Sequence, residues 1–267
     1  MTDRRESPTE TRSALKITFL YAATLLLLLV PFGLLVVLSL GSGWSFPHLL
    51  PDRIDFAPWR HLAADRDGML SAAGRALSRS VVVSLVSTLG GLIAGRALRR
   101  RASDRWLFIA YLPFVLSPVV VGVCLYDLLV RMRLAGTVGG VMACQILFSF
   151  AYATVLFCEL WTPRLERTEQ LVRTLGGGHR AVWRHALLPQ VRGTIIICLI
   201  QTALSSWLDY GIVAMIGGGS VSSLTLLLFS YIREASVNQA ALSSLVLLLP
   251  TLLGILVTGI LLRPRQS

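Results

Sequence analysis

The stretch ITFLYAATLLLLLVPFGLLVVLSL, residues 17–40, is 24 residues long and contains no charged side chain. At about 1.5 Å per residue, a helix of this length spans the roughly 30 Å hydrocarbon core of a bilayer. Five further apolar blocks follow, at residues 80–98, 106–130, 137–161, 193–216 and 239–262. The sequence therefore predicts an all-α integral membrane protein with six transmembrane helices.

The composition agrees with a membrane location. Charged residues make up 15% of the chain, whereas a soluble domain carries roughly 25%. Lipid offers no hydrogen-bond partner to exposed backbone, and the blocks lack the alternation of β-barrel strands, so helices are the expected spanning form. The first block is too long for the apolar part of a signal peptide, and we expect it to be retained with a kink at Pro31.

The basic residues predict the orientation. With both termini cytoplasmic, the inner segments 1–16, 96–105, 162–192 and 263–267 hold 17 of the 25 Lys and Arg residues. The outer segments 41–79, 131–136 and 217–238 have a similar total length and hold 8. The expected organisation is a transmembrane domain at 17–262 between cytoplasmic tails at 1–16 and 263–267. The net charge of +11 then reflects topology, and no soluble basic domain for nucleic acid is predicted.

Two arginines mark the ends of the second block, and we expect Arg79 and Arg96 to snorkel toward the two interfaces. The first outer segment, 41–79, mixes aromatic residues with prolines. This pattern indicates ordered structure near the interface, either a simple interfacial loop or part of a docking surface for an external partner.

The cytoplasmic connection at 163–192 predicts a compact unit. Residues 165–175 read as a short helix that a glycine run, residues 176–178, brings to an end. A second amphipathic stretch follows, and Pro189 is expected to interrupt the helix and reset the chain direction before the fifth span. The apolar faces of such a unit require a covering surface.

This connection resembles the EAA motif of ABC importer permeases. In that family a Glu-Ala-Ala opening precedes a Leu-Gly pair, an aromatic residue seven positions after the Gly, and a Leu-Pro pair that ends thirteen positions after it. The corresponding residues here are Leu175 and Gly176, then Trp183, then Leu188 and Pro189. The opening departs from the pattern, because its three positions hold Gln170, Leu171 and Val172.

The resemblance implies a type I ABC importer permease of MetI-like architecture, whose loop forms a coupling helix that docks into a separate ATPase. It assigns docking to Gln170, Leu171, Val172, Leu175, Gly176, Gly177, Trp183, Leu188 and Pro189. Gly176 would allow close approach of the ATPase, the apolar side chains at 171, 172 and 175 would face it, and Trp183 would anchor the next helix. The alternative is that Trp183 and the leucines only pack on the spans.

Asp209 and Tyr210 are the candidate pathway residues, because an acidic side chain deep in a span is costly and marks function by default. With the glycine run at 217–219, they resemble permeases for polyamines, ferric iron or thiamine. Asp209 either lines a cation pathway or serves as a hydrogen-bond partner between helices. The sequence does not distinguish whether the substrate is a polyamine, ferric iron, thiamine or another small solute.

The chain has one lysine, Lys16, in its N-terminal tail, so neither glycine run is a nucleotide-binding loop. No metal or cofactor site is predicted, and a partner would bind ATP and Mg²⁺. The implied partners are an ATPase dimer, a second permease chain, identical or different, and an external solute-binding protein. The expected location is the bacterial inner membrane, and the chain is a transport subunit, not an enzyme. The alternative is a secondary transporter driven by an ion gradient without an ATPase.

Overall fold

The computed structural model describes residues 8–42, 53–65, 68–101, 108, 111–112 and 118–262. Among these residues the regular structure is helical, apart from a two-residue antiparallel ladder in which Gly41 lies opposite Ile54. The elements in chain order are α1 (Pro8–Ser39), β1 (Gly41–Ser42), β2 (Arg53–Ile54), α2 (Ala57–Ala63), α3 (Met69–Arg101), α4 (Pro118–Arg131), α5 (Val138–Leu160), α6 (Pro163–Thr174), α7 (His179–Ala181), a π-helical turn (Val182–Leu187), α8 (Leu188–Leu208), α9 (Gly211–Gly217), α10 (Leu224–Arg233) and α11 (Val237–Leu262).

Four helical stretches in the described ranges are long and apolar enough to cross a bilayer. They are Met69–Arg100, Val138–Leu160, His179–Leu208 and Val237–Leu261. The first predicted span lies within α1, while residues 106–130 are described only in part and end in α4. The count of six spans and the cytoplasmic position of both termini therefore stay predictions.

Two glycines of α3 allow it to lie against α5. A Cβ atom on Gly95 would lie 2.8 Å from the backbone nitrogen of Cys158, and one on Gly91 would lie 2.8 Å from the backbone carbon of Ala153. Small residues four positions apart permit this close approach of membrane helices. α8 packs on α3 as well, and Ser84 Oγ donates a 2.7 Å hydrogen bond to the Leu199 carbonyl. α3, α5 and α8 form the centre of the bundle.

The remaining helices surround this centre. α1 and α10 pack along α11, and α11 is tied to α8 where the indole of Trp207 donates to the Leu247 carbonyl at 3.1 Å. Met69 and Ala76 are buried in the same apolar cluster as Trp207. α3 begins at Met69, well before the predicted start at residue 80, because its first three turns have this core to pack against.

The predicted fifth span, 193–216, is wrong in its bounds. Helical structure begins at His179, runs through the π-helical turn and ends at Leu208. Asp209 is extended, with φ −70° and ψ 114°, and α9 begins two residues later. Pro189 does not reset the chain. It lies in the first turn of α8, where its missing N–H breaks the α-helical bonding pattern, and the π-helical turn lies immediately before it.

One further expectation is wrong. Arg79 does not snorkel, since it is 4% exposed, whereas Arg96 reaches the carboxylate of Glu169 in the 163–192 connection. The third outer segment, 217–238, contains the apolar helix α10.

Candidate functional site

Helix α6 is the centre of the candidate docking loop. Pro163 occupies its first turn, where a missing N–H has no cost and the fixed φ suits a helix. Leu165, Glu169 and Val172 share one face through their spacing of four and three residues, and this face is turned inward: the first two are buried and Val172 packs against the adjoining core.

Glu169 joins α6 to α3. Its Oε2 accepts a hydrogen bond from Arg96 at 2.6 Å, and its Oε1 accepts bonds from Arg173 at 2.9 Å and Arg100 at 3.2 Å. Burial by itself raises the pKa of this carboxyl, but the nearby Arg96 charge, the hydrogen bonds from Arg173 and Arg96, and the Arg100 charge hold the pKa below its ordinary value. The carboxylate is therefore charged at neutral pH and holds the loop to the end of α3.

Two tryptophans enclose the same arginine. The Arg96 guanidinium lies 4.9 Å from the ring centroid of Trp161 and 5.2 Å from that of Trp183, and the two rings meet edge to face at 6.3 Å. Trp183 thus contacts α3 and the end of α5 across the core of the loop. The guanidinium that bonds to Glu169 of α6 is thus also the one that the two tryptophans enclose.

The opposite face of α6 is exposed and apolar. Leu171 is 62% exposed and Leu175 79% exposed, and Gln170 is exposed beside them. Val172, predicted to share this face, lies on the inward side. The spacing of the motif places its glutamate position at Gln170, whereas the enclosed carboxylate is that of Glu169, one residue earlier. The inward spacing of Leu165, Glu169 and Val172 was the signal that could have found it.

The glycine run has two different constraints. Gly176 has φ +80°, a conformation that other residues adopt with strain, and no atom lies within 4 Å of where its Cβ would be. Gly177 has no room, since a Cβ there would lie 2.6 Å from Val172 Cγ1 and 2.7 Å from the Val172 carbonyl oxygen. The Gly177 N–H donates to that same carbonyl at 2.9 Å, which closes the end of α6.

Leu188 and Pro189 lie at the start of α8, and both are exposed. Along the chain, α7 and the π-helical turn separate them from Leu171 and Leu175. The structure therefore separates the candidate docking residues into an exposed α6 face, a partly buried Trp183 joint and an exposed start of α8.

Asp209 occupies the break between α8 and α9. Its Oδ2 accepts from the Gln145 side-chain amide at 2.8 Å, and its Oδ1 accepts from the Ile212 N–H at 3.1 Å, which caps α9. The Thr225 hydroxyl donates to its backbone carbonyl at 3.2 Å. The carboxylate thus has hydrogen bonds from neutral groups and also connects three helices, so both predicted roles, pathway group and interhelical partner, fit its geometry.

An open cavity of 460 Å³ lies beside this carboxylate, between α5 and α8. Its polar wall consists of Gln145, Ser149, Gln201, Ser205, Ser206 and Asp209. Amide and hydroxyl oxygens around one carboxylate can accept the hydrogen bonds of an ammonium group. Tyr210 does not line this cavity, because its ring stacks on Phe229 with centroids 4.2 Å apart.

Gln145 was missed from the sequence, and Arg79 was noted only as the end of the second block. The Gln145 Oε1 accepts from the Ser206 hydroxyl at 2.9 Å and its amide nitrogen donates to Asp209, so one amide fixes the polar wall. Arg79 lies close enough for its charge to act on Asp209, but its Nε and Nη2 have no hydrogen-bond partner among the described residues. A polar residue inside an apolar block was the available signal for Gln145.

Comparison with known proteins agrees with these features. The family model described as binding-protein-dependent transport system inner membrane component matches residues 87–263. Putrescine transport system permease protein PotI of Escherichia coli K12 is 26% identical over 231 residues, which cover 81% of this chain and 76% of PotI. PotI of Escherichia coli O6:H1 has the same values. The residues matched by the family model include α4 through α11 and the second half of α3, from residue 87 onward.

Proposed function

Because this chain belongs to the family of binding-protein-dependent transport system inner membrane components, we propose that it is the permease subunit of an ATP-driven importer. It forms a solute pathway through the membrane and is coupled to a separate ATPase by the loop that contains α6. The family gives no support to the alternative of a secondary transporter driven by an ion gradient.

The exposed face of α6 is the observation that carries this proposal. A short helix that is fixed on one side by Glu169 and presents Leu171 and Leu175 on the other side leaves apolar area that a partner groove would cover. The fixed side transmits force to α3, since Arg96 and Arg100 of α3 both bond to Glu169 of α6, and Arg96 is also enclosed by Trp161 and Trp183. The ATPase dimer binds this face, and its closure on ATP tilts the spans.

The proposed substrate class is a small organic cation of the polyamine type. Its ammonium groups would enter the cavity at Asp209 and receive the carboxylate and the surrounding amide and hydroxyl oxygens. The resemblance to PotI, a putrescine permease, supports this class.

The complete importer contains a second permease chain, an external solute-binding protein and the ATPase dimer, and it resides in the bacterial inner membrane with the α6 loop in the cytoplasm. The net basic charge of the segment 162–192 supports this orientation.

The test is recovery of an ATPase with this chain from detergent-solubilised native membranes. Replacement of the exposed pair, Leu171→Asp with Leu175→Asp, should reduce ATPase recovery about tenfold, because charges cannot enter an apolar groove. The matched control, Leu171→Met with Leu175→Met, keeps the apolar surface and should recover the wild-type amount. Full recovery by the aspartate pair would contradict the proposal, as would ATP-independent transport by a chain isolated without an ATPase.

A further inference from the structure

A second cavity, of 430 Å³, lies where the loop meets the end of α3. Arg96, Arg100, Arg173 and His179 form its polar part, and Leu92 and Ile93 form its apolar part. The Asp209 cavity is lined by other residues, so this is a separate site.

The cavity carries a net positive charge. Three guanidinium groups surround it, and the carboxylate of Glu169 balances one of them. Each guanidinium has five N–H donors. The side chains of Arg100 and Arg173 are 58% and 53% exposed, so both keep donors turned outward, and the buried Arg96 Nε has no partner among the described residues. This donor set suits a phosphate group.

The apolar side of the cavity continues along α3. Ile93 is 73% exposed, and Leu89, one turn earlier, is 59% exposed. Both belong to the apolar part of α3 that is long enough to cross a bilayer, and α3 leads from this strip directly to the arginines. An acyl chain can lie on the strip while its headgroup reaches the guanidinium groups. A free phosphate ion has no acyl chain and would not contact this apolar strip.

We infer that this cavity binds the phosphate of an anionic phospholipid, with Arg100 and Arg173 as its main ligands and the acyl chains along Leu89 and Ile93. Basic pockets between transmembrane helices at the cytoplasmic level are suited to such headgroups. The inference depends on the membrane location of α3 but not on coupling to an ATPase, so the two proposals can fail separately.

The experiment uses the full chain, with the subunits that co-purify, in nanodiscs of equal parts phosphatidylglycerol and phosphatidylcholine. Native mass spectrometry of the released protein measures the lipids that stay bound. For the wild type we expect about tenfold enrichment of phosphatidylglycerol over phosphatidylcholine, since each arginine near the surface favours an anionic lipid. Equal retention of the two lipids would overturn the inference.

Paired variants locate the site. Arg100→Gln with Arg173→Gln should abolish the enrichment. The matched control, Arg99→Gln with Arg164→Gln, removes the same charge from the same two helices outside the cavity. This control should retain the phosphatidylglycerol enrichment. Equal loss in both pairs would indicate general surface charge and overturn the assignment.

Inorganic phosphate distinguishes the two sources of the anion. Added in excess over the bound lipid, it should leave the phosphatidylglycerol enrichment unchanged, because the ion cannot replace the acyl contacts. Complete displacement would identify a free-anion site and overturn the lipid assignment. If the test pair does not accumulate in membranes, the wild-type enrichment and the phosphate competition decide the question.

Discussion

Glu169 and Asp209 are both enclosed acidic side chains, and their surroundings are opposite. Glu169 accepts hydrogen bonds from three arginines, so its charge is matched several times within the described structure. Asp209 accepts from a side-chain amide and a backbone N–H, both neutral. The first carboxylate joins two helices through ion pairs, whereas the second has only neutral hydrogen-bond donors among the described residues.

Arg79 sharpens this difference. It is the cation whose charge acts on Asp209, but no hydrogen bond joins them in the described structure, and two of its nitrogens are buried without partners. At the Glu169 joint, Arg96 also has a buried Nε without a partner among the described residues, but its guanidinium bonds to the carboxylate. The difference therefore lies in the ion pair, since Glu169 has bonded arginines and Asp209 has none among the described residues.

The largest effect is expected from Glu169→Gln. The loss of the carboxylate leaves three arginines facing a neutral amide and weakens the joint by about 2 kcal/mol, after allowance for the exposed arginines. ATPase recovery and ATP-driven uptake should both fall about tenfold. Glu166→Gln, at an exposed position of the same helix, should leave both unchanged.

The same joint has a predictable pH response. Because the pKa of Glu169 is lowered on folding, its stabilisation is fully present above the ordinary pKa of about 4.3 and is lost as the pH falls through the folded value. Wild-type ATPase recovery should therefore stay constant from about pH 7.5 to about pH 5. A decline within that window would show that Glu169 is not held charged by its arginines.

Asp209→Asn should affect transport alone. Asparagine keeps the size of the side chain and an oxygen for Gln145, but it removes the negative charge, so uptake of a cationic substrate should fall about tenfold while ATPase recovery stays at the wild-type level. The measurement is ATP-driven uptake of labelled putrescine in proteoliposomes.

Asp127→Asn is the matched control, since Asp127 is exposed and paired with Arg131 four residues later. It should reduce uptake little. Unchanged uptake in the Asp209 variant would remove the pathway role, and a loss of assembled protein would show that Asp209 acts mainly as a link between helices.

The smallest effect distinguishes two neighbouring glycines. Gly177→Ala must displace Val172 and should destabilise the end of α6 by about 1 kcal/mol, with a several-fold lower recovery of the ATPase. Gly178→Ala meets open space at a negative φ and should be neutral. Equal behaviour of the two variants in a thermal-shift and recovery assay would show that the packing at Val172 does not position the loop.

Long apolar blocks were sufficient to predict the bundle where nothing interrupts them. The block 137–161 corresponds to α5 within one residue at each end, because Thr137 caps the helix and Trp161 ends it. The start of α3 and the break at Asp209 were not predictable from hydropathy. The first depends on a core made by distant segments, and the second on the Gln145 amide and the α9 backbone.

The spacing predicted a helix, a glycine break and a second helical stretch at 163–192, but it did not assign the inward and outward faces of the first helix correctly. Glycine, tryptophan and proline positions indicate that such a loop exists, whereas the inward face depends on Arg96, which is distant in sequence from Glu169. For this reason Val172 was assigned to the wrong face, and the motif's acidic position was placed on Gln170, with Glu169 noted only as its neighbour. Long-range charge pairs of this kind cannot be read from local periodicity.

The packing of α1 along α11 has a consequence for biosynthesis. The ribosome produces α1 before its neighbour α11, so the contact between them must wait until residues 237–262 have been made. Contacts between such distant segments form late. During that interval α1 is an unaccompanied helix that lipid or an insertion chaperone must shield, and a nascent chain stalled before residue 237 would leave it orphaned and exposed to membrane proteases.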